Sequence, residues 1–383
     1  MDNSAIIIGV MLRHLTDRGG ITVYTRNLLN SILRLDKKNK YIFFLPSDNH
    51  LGKFPATPNV TEIAVKCNSN PFAKLLWDQW TIPRLAGKHR VDVLFNPKLS
   101  VPLSAKCKTV FTMHGLEQFA EGNLFKFFDH LYSLFAMKRY CRKADAILCM
   151  TNAGKQDFIR YLNPDPGKIH VIPESYNEQC RVITDRQSLE AVRTKYRLPD
   201  SFILFVGGIT PLKNIHTLVR AFHVLRNKDY PVKLVLAGFR RWKDRNEVAD
   251  IERLGIRDDV IEPGFIDNAD LPAVYNLADC FVLPSFYEGF GIPILEAQAC
   301  GCPVIISDSG PMKEVSGGAA LTFDPSNAEQ LAAKISELHS DSSLRKRITG
   351  LGLDNVRKYS WEKTAKETIQ VFENLAGIHN QPE

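Results

Sequence analysis

The sequence predicts an α/β chain built from two doubly wound parallel sheets, and three observations predict it. Short apolar, β-rich runs alternate with stretches of helical periodicity along most of the chain. That is the pattern of strands buried on both faces beneath crossover helices. At 383 residues the chain exceeds what one hydrophobic core usually organises and suits two domains. The strand, glycine turn and amphipathic helix that open the chain begin afresh near residue 201, in SFILFVGGITPLKNIHTLVRAFHVL.

Residues 6–11 are apolar and lead through RHLTDRGGITVYTRNLL, with Gly19 and Gly20 in the loop, into a helix expected over 21–35. A strand, glycine loop and helix is the general form of a phosphate or sugar contact at the carboxyl end of a parallel strand. Further strands are expected at 41–45, 60–65, 91–95, 109–113 and 146–150, and the last of this half at 169–172. His114 stands at the tip of the fifth of these runs, facing the crevice where ligands bind in such sheets. Residues 70–85 and 124–143 read as helices combining aromatic and basic side chains. Both suit core-facing helices. The second, with Phe125, Phe127, Phe128, Tyr132 and Phe135 ahead of Lys138, Arg139, Arg142 and Lys143, also suits an acceptor channel or a membrane interface. After Pro173 the polar stretch ESYNEQCRVITDRQSLE reads as a hinge, with the domain boundary at 175–185.

In the second half a strand over 201–206 passes Gly208 and reaches a helix over 212–226 that begins beside Lys213. A strand at 233–237 ends in Gly238, with Arg240 and Arg241 in the loop beyond. Residues 260–265, a helix over 269–278 and a strand at 280–283 lead to LPSFYEGFGIPILEAQACGCPVIISD, the most informative stretch of the chain. Its turn holds Glu288, Gly289, Phe290 and Gly291 before an apolar helix. Such a turn is an anion site, because glycine lets backbone N–H groups approach a ligand and a helix start offers unpaired donors. Glu296 lies eight residues past Glu288, about two helical turns on, so both carboxylates can face one cleft. A strand at 304–307, a turn at 309–311, a strand at 319–323 and helices over 326–339, 341–358 and 360–376 complete the expectation.

Hydrophobic content of 44% and charged content of 24% are ordinary for a soluble globular protein. No apolar run approaches the roughly 18 to 20 residues that span a bilayer. The start, MDNS, lacks the basic residues of a leader, and 5–12 fits a first strand better. A cytoplasmic place is therefore expected. The eight cysteines show neither C-x-x-C pairs nor zinc spacing, which points to reduced thiols, with Cys300 and Cys302 packed about Gly301. The net charge of +7 is uneven: residues 1–180 carry 24 Lys+Arg against 15 Asp+Glu, the remainder 25 against 27. An anionic membrane, a phosphate-bearing acceptor or nucleic acid would each suit a basic first half. No nucleic-acid module is present, so no nucleic-acid partner is expected.

The E-x7-E spacing of Glu288 and Glu296, set in PSFYEGFGIPILEAQACGCPVI, resembles the donor site of retaining glycosyltransferases of family 4. These are GT-B enzymes that transfer a sugar from a nucleoside diphosphate. The resemblance implies two Rossmann-like domains facing a cleft. Residues 1–180 with 362–383 would bind the acceptor, 181–361 would bind the donor, and the C-terminal helix would cross back. It places Gly19 and Gly20 beside the diphosphate, Lys213 on the donor phosphates, Phe265 and Ile266 near the base, Glu296 on the ribose and Glu288 on the donor sugar. Two departures stand out. Gly208 occupies a position where relatives commonly carry Arg, leaving Arg240 and Arg241 as replacements or as solvated loop residues. Gly115 replaces the Asp that commonly follows the family's His, here His114.

The implied reaction is front-face substitution with Lys213 stabilising the leaving diphosphate. No metal or other cofactor is expected, since no D-x-D motif is present. The donor is a nucleoside diphosphate sugar, UDP favoured over GDP, and the acceptor a glycan or lipid-linked sugar, with peripheral contact on the inner membrane face. The alternative is a catalytically silent nucleotide-sugar binding protein of the same fold.

Overall fold

A computed structural model describes residues 5–16, 19–68, 70–116, 127–227, 230–239 and 246–377, the side chains of 16, 127–134 and 246–249 excepted. The chain divides into two compact units. One comprises residues through Leu116, those from the following helix to Glu174 and those from Ser360 on; the other runs from Ser175 to Tyr359. The limits drawn from sequence were 180 and 362.

The first unit is a seven-stranded parallel sheet: β1 Ile7–Met11, β2 Lys40–Leu45, β3 Val60–Ala64, β4 Val93–Asn96, β5 Lys108–Met113, β6 Ala146–Cys149 and β7 Ile169–Val171. Its order is β3-β2-β1-β4-β5-β6-β7, every neighbouring pair parallel. Helix α1 (Gly20–Leu35) buries Tyr24, Leu28, Leu29, Ile32 and Leu33 along one face, the spacing that identifies it in the sequence. The stretch expected as one helix over 70–85 is three pieces: α2 (Pro71–Leu76), a π turn (Trp77–Thr81) and α3 (Ile82–Lys88). The wide turn advances the register so that Trp77 and Ile82, five residues apart, both enter the core beside Met11, Phe44 and Leu94. Helices α4 (Phe127–Lys143) and α5 (Asn152–Leu162) follow. The Phe125 position, and the side chains of Phe127, Phe128 and Tyr132, lie outside the described residues.

The second unit opens with α6 (Arg186–Tyr196), whose first five residues fall in the stretch read from sequence as a hinge; Asp185 caps it by accepting the Gln187 N–H at 3.0 Å. Its parallel strands are β8 Phe202–Val206, β9 Lys233–Ala237, β10 Val260–Gly264, β11 Cys280–Leu283, β12 Val304–Ser307 and β13 Leu321–Phe323, in the order β10-β9-β8-β11-β12-β13. The helices between and after them are α7 (Ile215–Arg226), α8 (Asn246–Arg253), α9 (Leu271–Leu277), α10 (Ile292–Ala299), α11 (Gly310–Ser316), α12 (Ala328–Ser340) and α13 (Ser342–Val356). In each sheet the strand order reverses once, at β1/β4 and at β8/β11, and ligands of open α/β sheets bind at the carboxyl tips of that switch point.

The last helix, α14 (Trp361–Leu375), belongs to the first unit, as the sequence implied. Trp361 meets Tyr24 of α1 at 6.0 Å between ring centroids, and Phe372 meets Phe95 of β4 at 5.2 Å. Thr364 donates to Pro173 O at 2.8 Å, and the buried Asn39 amide donates to Glu373 at 3.2 Å. All eight cysteines are free thiols. No helix among the described residues is long and apolar enough to cross a membrane.

Because Phe372 is fully buried, Phe372→Ala is expected to lower the unfolding free energy by about 3 to 5 kcal/mol in urea titration. A loss under about 1 kcal/mol would mean that α14 does not hold this unit together.

Candidate active site

The loops after β8 and β11 form the second unit's switch point. After β8, Gly207 adopts φ +154° and the chain closes into a single 3-10 turn, Pro211–Lys213. Lys213 therefore ends a tight turn two residues ahead of Ile215, the first residue of α7, where the sequence suggested the helix start itself. Asn214 follows in the left-handed region at φ 52° and is buried. Its amide donates to Pro284 O at 3.0 Å, at the foot of the β11 loop, and to Pro325 O at 2.7 Å, beyond β13. Phe286 N–H donates to Leu212 O at 3.0 Å. One side chain and one backbone bond thus fasten the lysine turn to the glutamate turn.

The consequence is an ion pair between Lys213 Nζ and Glu288 Oε1, on side chains 26% and 15% exposed. Ser285, fully buried, donates to the same oxygen at 2.5 Å, and Ser307 of β12 in turn donates to Ser285 O. Glu288 Oε2 has no partner among the described residues. An ammonium has three donors, so Lys213 can keep Glu288 and still reach a phosphate. Gly289, Phe290 and Gly291 continue the turn, and their N–H groups carry no hydrogen bond among the described residues. Phe290 is anchored edge-on to Tyr359 at 5.9 Å. Gly291, at φ 92°, caps α10, and a Cβ there would stand 3.0 Å from Ile294; only glycine fits both the dihedral and the space. Free backbone donors, a helix start and a lysine are what an anionic group needs.

Glu296 lies on α10, half-buried. It accepts the Tyr275 hydroxyl on Oε2 at 3.2 Å and the Asn177 N–H. Burial pushes its carboxyl up to about 7 against the lowering effect of these two donors. Burial also holds the Tyr275 phenol in its neutral, donating form by raising its pKa well above the usual range.

The tips of β8, β9 and β10 are laced together by Gly207 N–H to Ala237 O at 2.9 Å, Gly238 N–H to Gly264 O at 2.8 Å and Ile209 N–H to Phe239 O at 2.9 Å. Gly238, at φ 144°, tolerates no other residue, since a Cβ would stand 1.9 Å from Gly207 O. This close approach brings Phe239 and Phe265 into parallel stacking, 5.2 Å apart at 10°, with Phe265 52% exposed; Ile266 beside it is buried. Gly208 is half-buried in the β8 loop. Arg240 and Arg241 lie outside the described residues.

The remaining candidates sit in the first unit. Gly19, exposed at φ 147°, caps α1, and Gly20 is exposed with open space where a Cβ would stand. His114, just past β5, is closer packed than a sugar contact alone requires. Its Nε2–H donates to Pro97 O at 2.8 Å, Nδ1 meets the buried Glu174 at 3.1 Å, and Tyr24 presses edge-on at 4.7 Å. Both ring nitrogens are engaged by the chain itself, so a ligand contact through them requires one of these partners to let go. Among the described residues no cluster of three or more metal-ligating side chains occurs. Asn214, Ser285, Tyr275 and Phe239 were not singled out from sequence.

Two parallel α/β units with glycine turns at their switch points define the GT-B class of fold, and solved structures agree. A sucrose-phosphate synthase from Thermosynechococcus elongatus matches with a TM-score of 0.80 over 98% of this chain and 100% of that one, at 20% identity. Anabaena HepE in complex with UDP-glucose matches at 0.74 over 96% and 100%, at 17% identity. The chain belongs to glycosyltransferase family 4: residues 18–179 match the family described as Glycosyltransferase Family 4, and residues 190–350 match Glycosyl transferases group 1. Among curated relatives, the O-antigen chain mannosyltransferase B of Escherichia coli is 34% identical over 237 residues, 61% of this chain and 61% of that protein. The match thus spans about three fifths of that relative's length.

Asn214→Ala removes the amide that joins the two turns and leaves alanine in a left-handed conformation. The expected loss is about 2 to 4 kcal/mol of stability in denaturant titration. A loss below about 0.5 kcal/mol would show the two turns to be held by other contacts.

Proposed function

We propose that the protein is a retaining glycosyltransferase that moves a mannosyl group from its nucleoside diphosphate to a glycan or lipid-linked acceptor in surface polysaccharide synthesis. The observation that carries the reading is the Lys213–Glu288 pair beside the unpartnered N–H groups of Gly289, Phe290 and Gly291. The mannosyl choice rests on the relatives' names, O-antigen chain mannosyltransferase B among them, and on no residue of this chain. It turns the base preference from the UDP favoured in the sequence reading toward GDP. The exposed ring of Phe265, stacked on Phe239, offers the base an apolar surface.

In this reading the diphosphate is gripped by Lys213 and the turn's N–H groups. Glu296 accepts the ribose hydroxyls, and the free Glu288 Oε2 accepts a hydroxyl of the sugar. As the bond from the anomeric carbon to the phosphate oxygen breaks, charge collects on that oxygen where Lys213 and the N–H groups are already oriented. The acceptor hydroxyl forms its bond on the same face and gives its proton to the departing phosphate, so configuration is retained. His114 is assigned the sugar contact only on release of Glu174 or Pro97; otherwise it positions the β5 tip. A cytoplasmic place with the acceptor at the inner membrane face completes the reading.

Incubation with GDP-mannose and UDP-sugars, following nucleotide release and product, tests the assignment. Release with transfer supports it, whereas tight binding without turnover under every acceptor would favour a silent binding protein. Lys213→Ala is expected to reduce turnover about 100- to 1000-fold while changing donor affinity far less, because the charge it meets grows during reaction. Lost affinity with unchanged turnover would contradict that role.

The Glu296 carboxyl supplies a pH test. Below about 7 it is largely protonated in the free protein and is a poorer acceptor for two hydroxyls. Bound ribose favours the ionised form and lowers its pKa, so binding releases a proton in this range. Nucleotide affinity should therefore rise about tenfold from pH 6 to pH 8 and level off above it, and Glu296→Gln should flatten the profile. A wild-type profile that is flat, or that falls with pH, would remove the ribose role.

A further inference from the structure

We propose that the outer face of the segment from Pro71 to Lys88 docks on an anionic lipid surface. The inner face is accounted for: Trp77, Ile82 and Ala86 are buried in the first unit's core. The outer face is not. Phe72 is 66% exposed, Leu75 41%, Leu76 45% and Trp80 61%. Their spacing of three, four and eight residues from Phe72 puts them on one side of the helix. Leu103, also exposed, adjoins them, its N–H donating to Gln79 at 2.9 Å. A contiguous apolar strip of this kind on a water-facing helix marks an interaction surface.

Charge identifies the partner. Residues 66–90 hold five basic side chains, Lys66, Lys74, Arg84, Lys88 and Arg90, and a single acid, Asp78. Asp78 is buried and takes both Arg13 donors, at 2.9 and 2.8 Å, so the strip's rim is purely cationic. Arg84 lays its guanidinium over Trp80 at 3.9 Å, an aromatic ring with a cation above it, suited to the boundary between acyl chains and headgroups. A cavity of about 1020 Å³ opens beside the pair, with Arg84, Arg90, Lys106 and Lys108 on its walls. Its acid, Asp92, already accepts the Ile7 N–H at 2.8 Å. A second copy of the chain is a poorer partner, because a two-fold contact would set this cationic rim against itself. The aromatic and basic helix α4, raised from sequence for the same role, is weaker in its described part. Lys143 donates to Ala105 O at 2.8 Å and Arg142 to Lys138 O at 3.3 Å, leaving Phe135 under Arg139 as its exposed contact.

Lipid docking at this face is separate from the donor chemistry and is tested without it. The full chain is sedimented with vesicles of phosphatidylcholine, with and without phosphatidylglycerol. Recovery is expected on the anionic vesicles, roughly tenfold weaker on neutral ones, and reversed by about 0.5 M salt. Phe72→Ser/Leu76→Ser/Trp80→Ser, and separately Lys74→Ser/Arg84→Ser/Lys88→Ser, should each weaken binding by roughly tenfold or more. Thermal midpoints and nucleotide binding should remain those of wild type, since five of the six side chains are exposed and the sixth, Lys74, is half-buried. Lys138→Ser/Arg139→Ser should leave sedimentation unchanged. Equal recovery on neutral and anionic vesicles, undiminished binding by either triple variant, or a concentration-dependent dimer abolished by Trp80→Ser would each overturn the proposal.

Discussion

The candidate site of the second unit depends on one buried amide. Asn214 reaches the carbonyls of Pro284 and Pro325, 70 and 111 residues away in sequence, and so fixes the β8, β11 and β13 loops in one frame. Only within that frame does Lys213 meet Glu288, and only with Ser285 beneath it is Glu288 turned so that one oxygen stays open. A left-handed backbone at a non-glycine residue is uncommon, and asparagine tolerates it best. The strain is local, while its effect is to aim a cation and an acid from different strands at one point.

Around that frame the sheet supplies its own geometry. Strand order reverses at β8/β11, so the loops at that point have no neighbour crossing over them and leave a place for a ligand. The glycines do separate work: Gly238 lets two strand tips touch backbone to backbone, and Gly291 turns the chain into α10 with its N–H groups unpaired. Glu296, with its carboxyl pushed up to about 7 by burial, stands where a small change in its surroundings alters its charge. The first unit is tied differently, by aromatic contacts of α14 on α1 and β4, which explains how a helix at the end of the chain belongs to the sheet at its start.

What could be read from sequence follows from how local each signal is. Alternating apolar runs gave twelve of the thirteen strands with bounds close to those observed, β10 being the one not read as a strand, and the turn from Glu288 to Gly291 announced itself because acid, glycine and helix start are adjacent. Asn214 and Tyr275 stayed hidden because their partners lie 70 and 21 residues away, and Ser285, three residues from Glu288, because adjacency does not say which way a hydroxyl turns. Helix α6 is hard to tell from a hinge because none of its residues is fully buried and its stripe, Leu189, Val192 and Tyr196, is short and only half-buried. The π turn at Trp77–Thr81 was invisible for the converse reason: core packing, not composition, selects it. His114 was placed correctly at its strand tip, but Glu174, 60 residues away, and Pro97, 17 residues away, occupy nitrogens that sequence left open for a ligand.

Amide hydrogen exchange of the full chain, with and without saturating GDP-mannose or UDP-sugar, reads the central claim at the atoms it concerns. The account predicts slowed exchange in two segments together, 207–214 and 288–296, where the lysine turn and the unpaired N–H groups meet the diphosphate. Slowing confined to other segments while a nucleotide-sugar is demonstrably bound would contradict it.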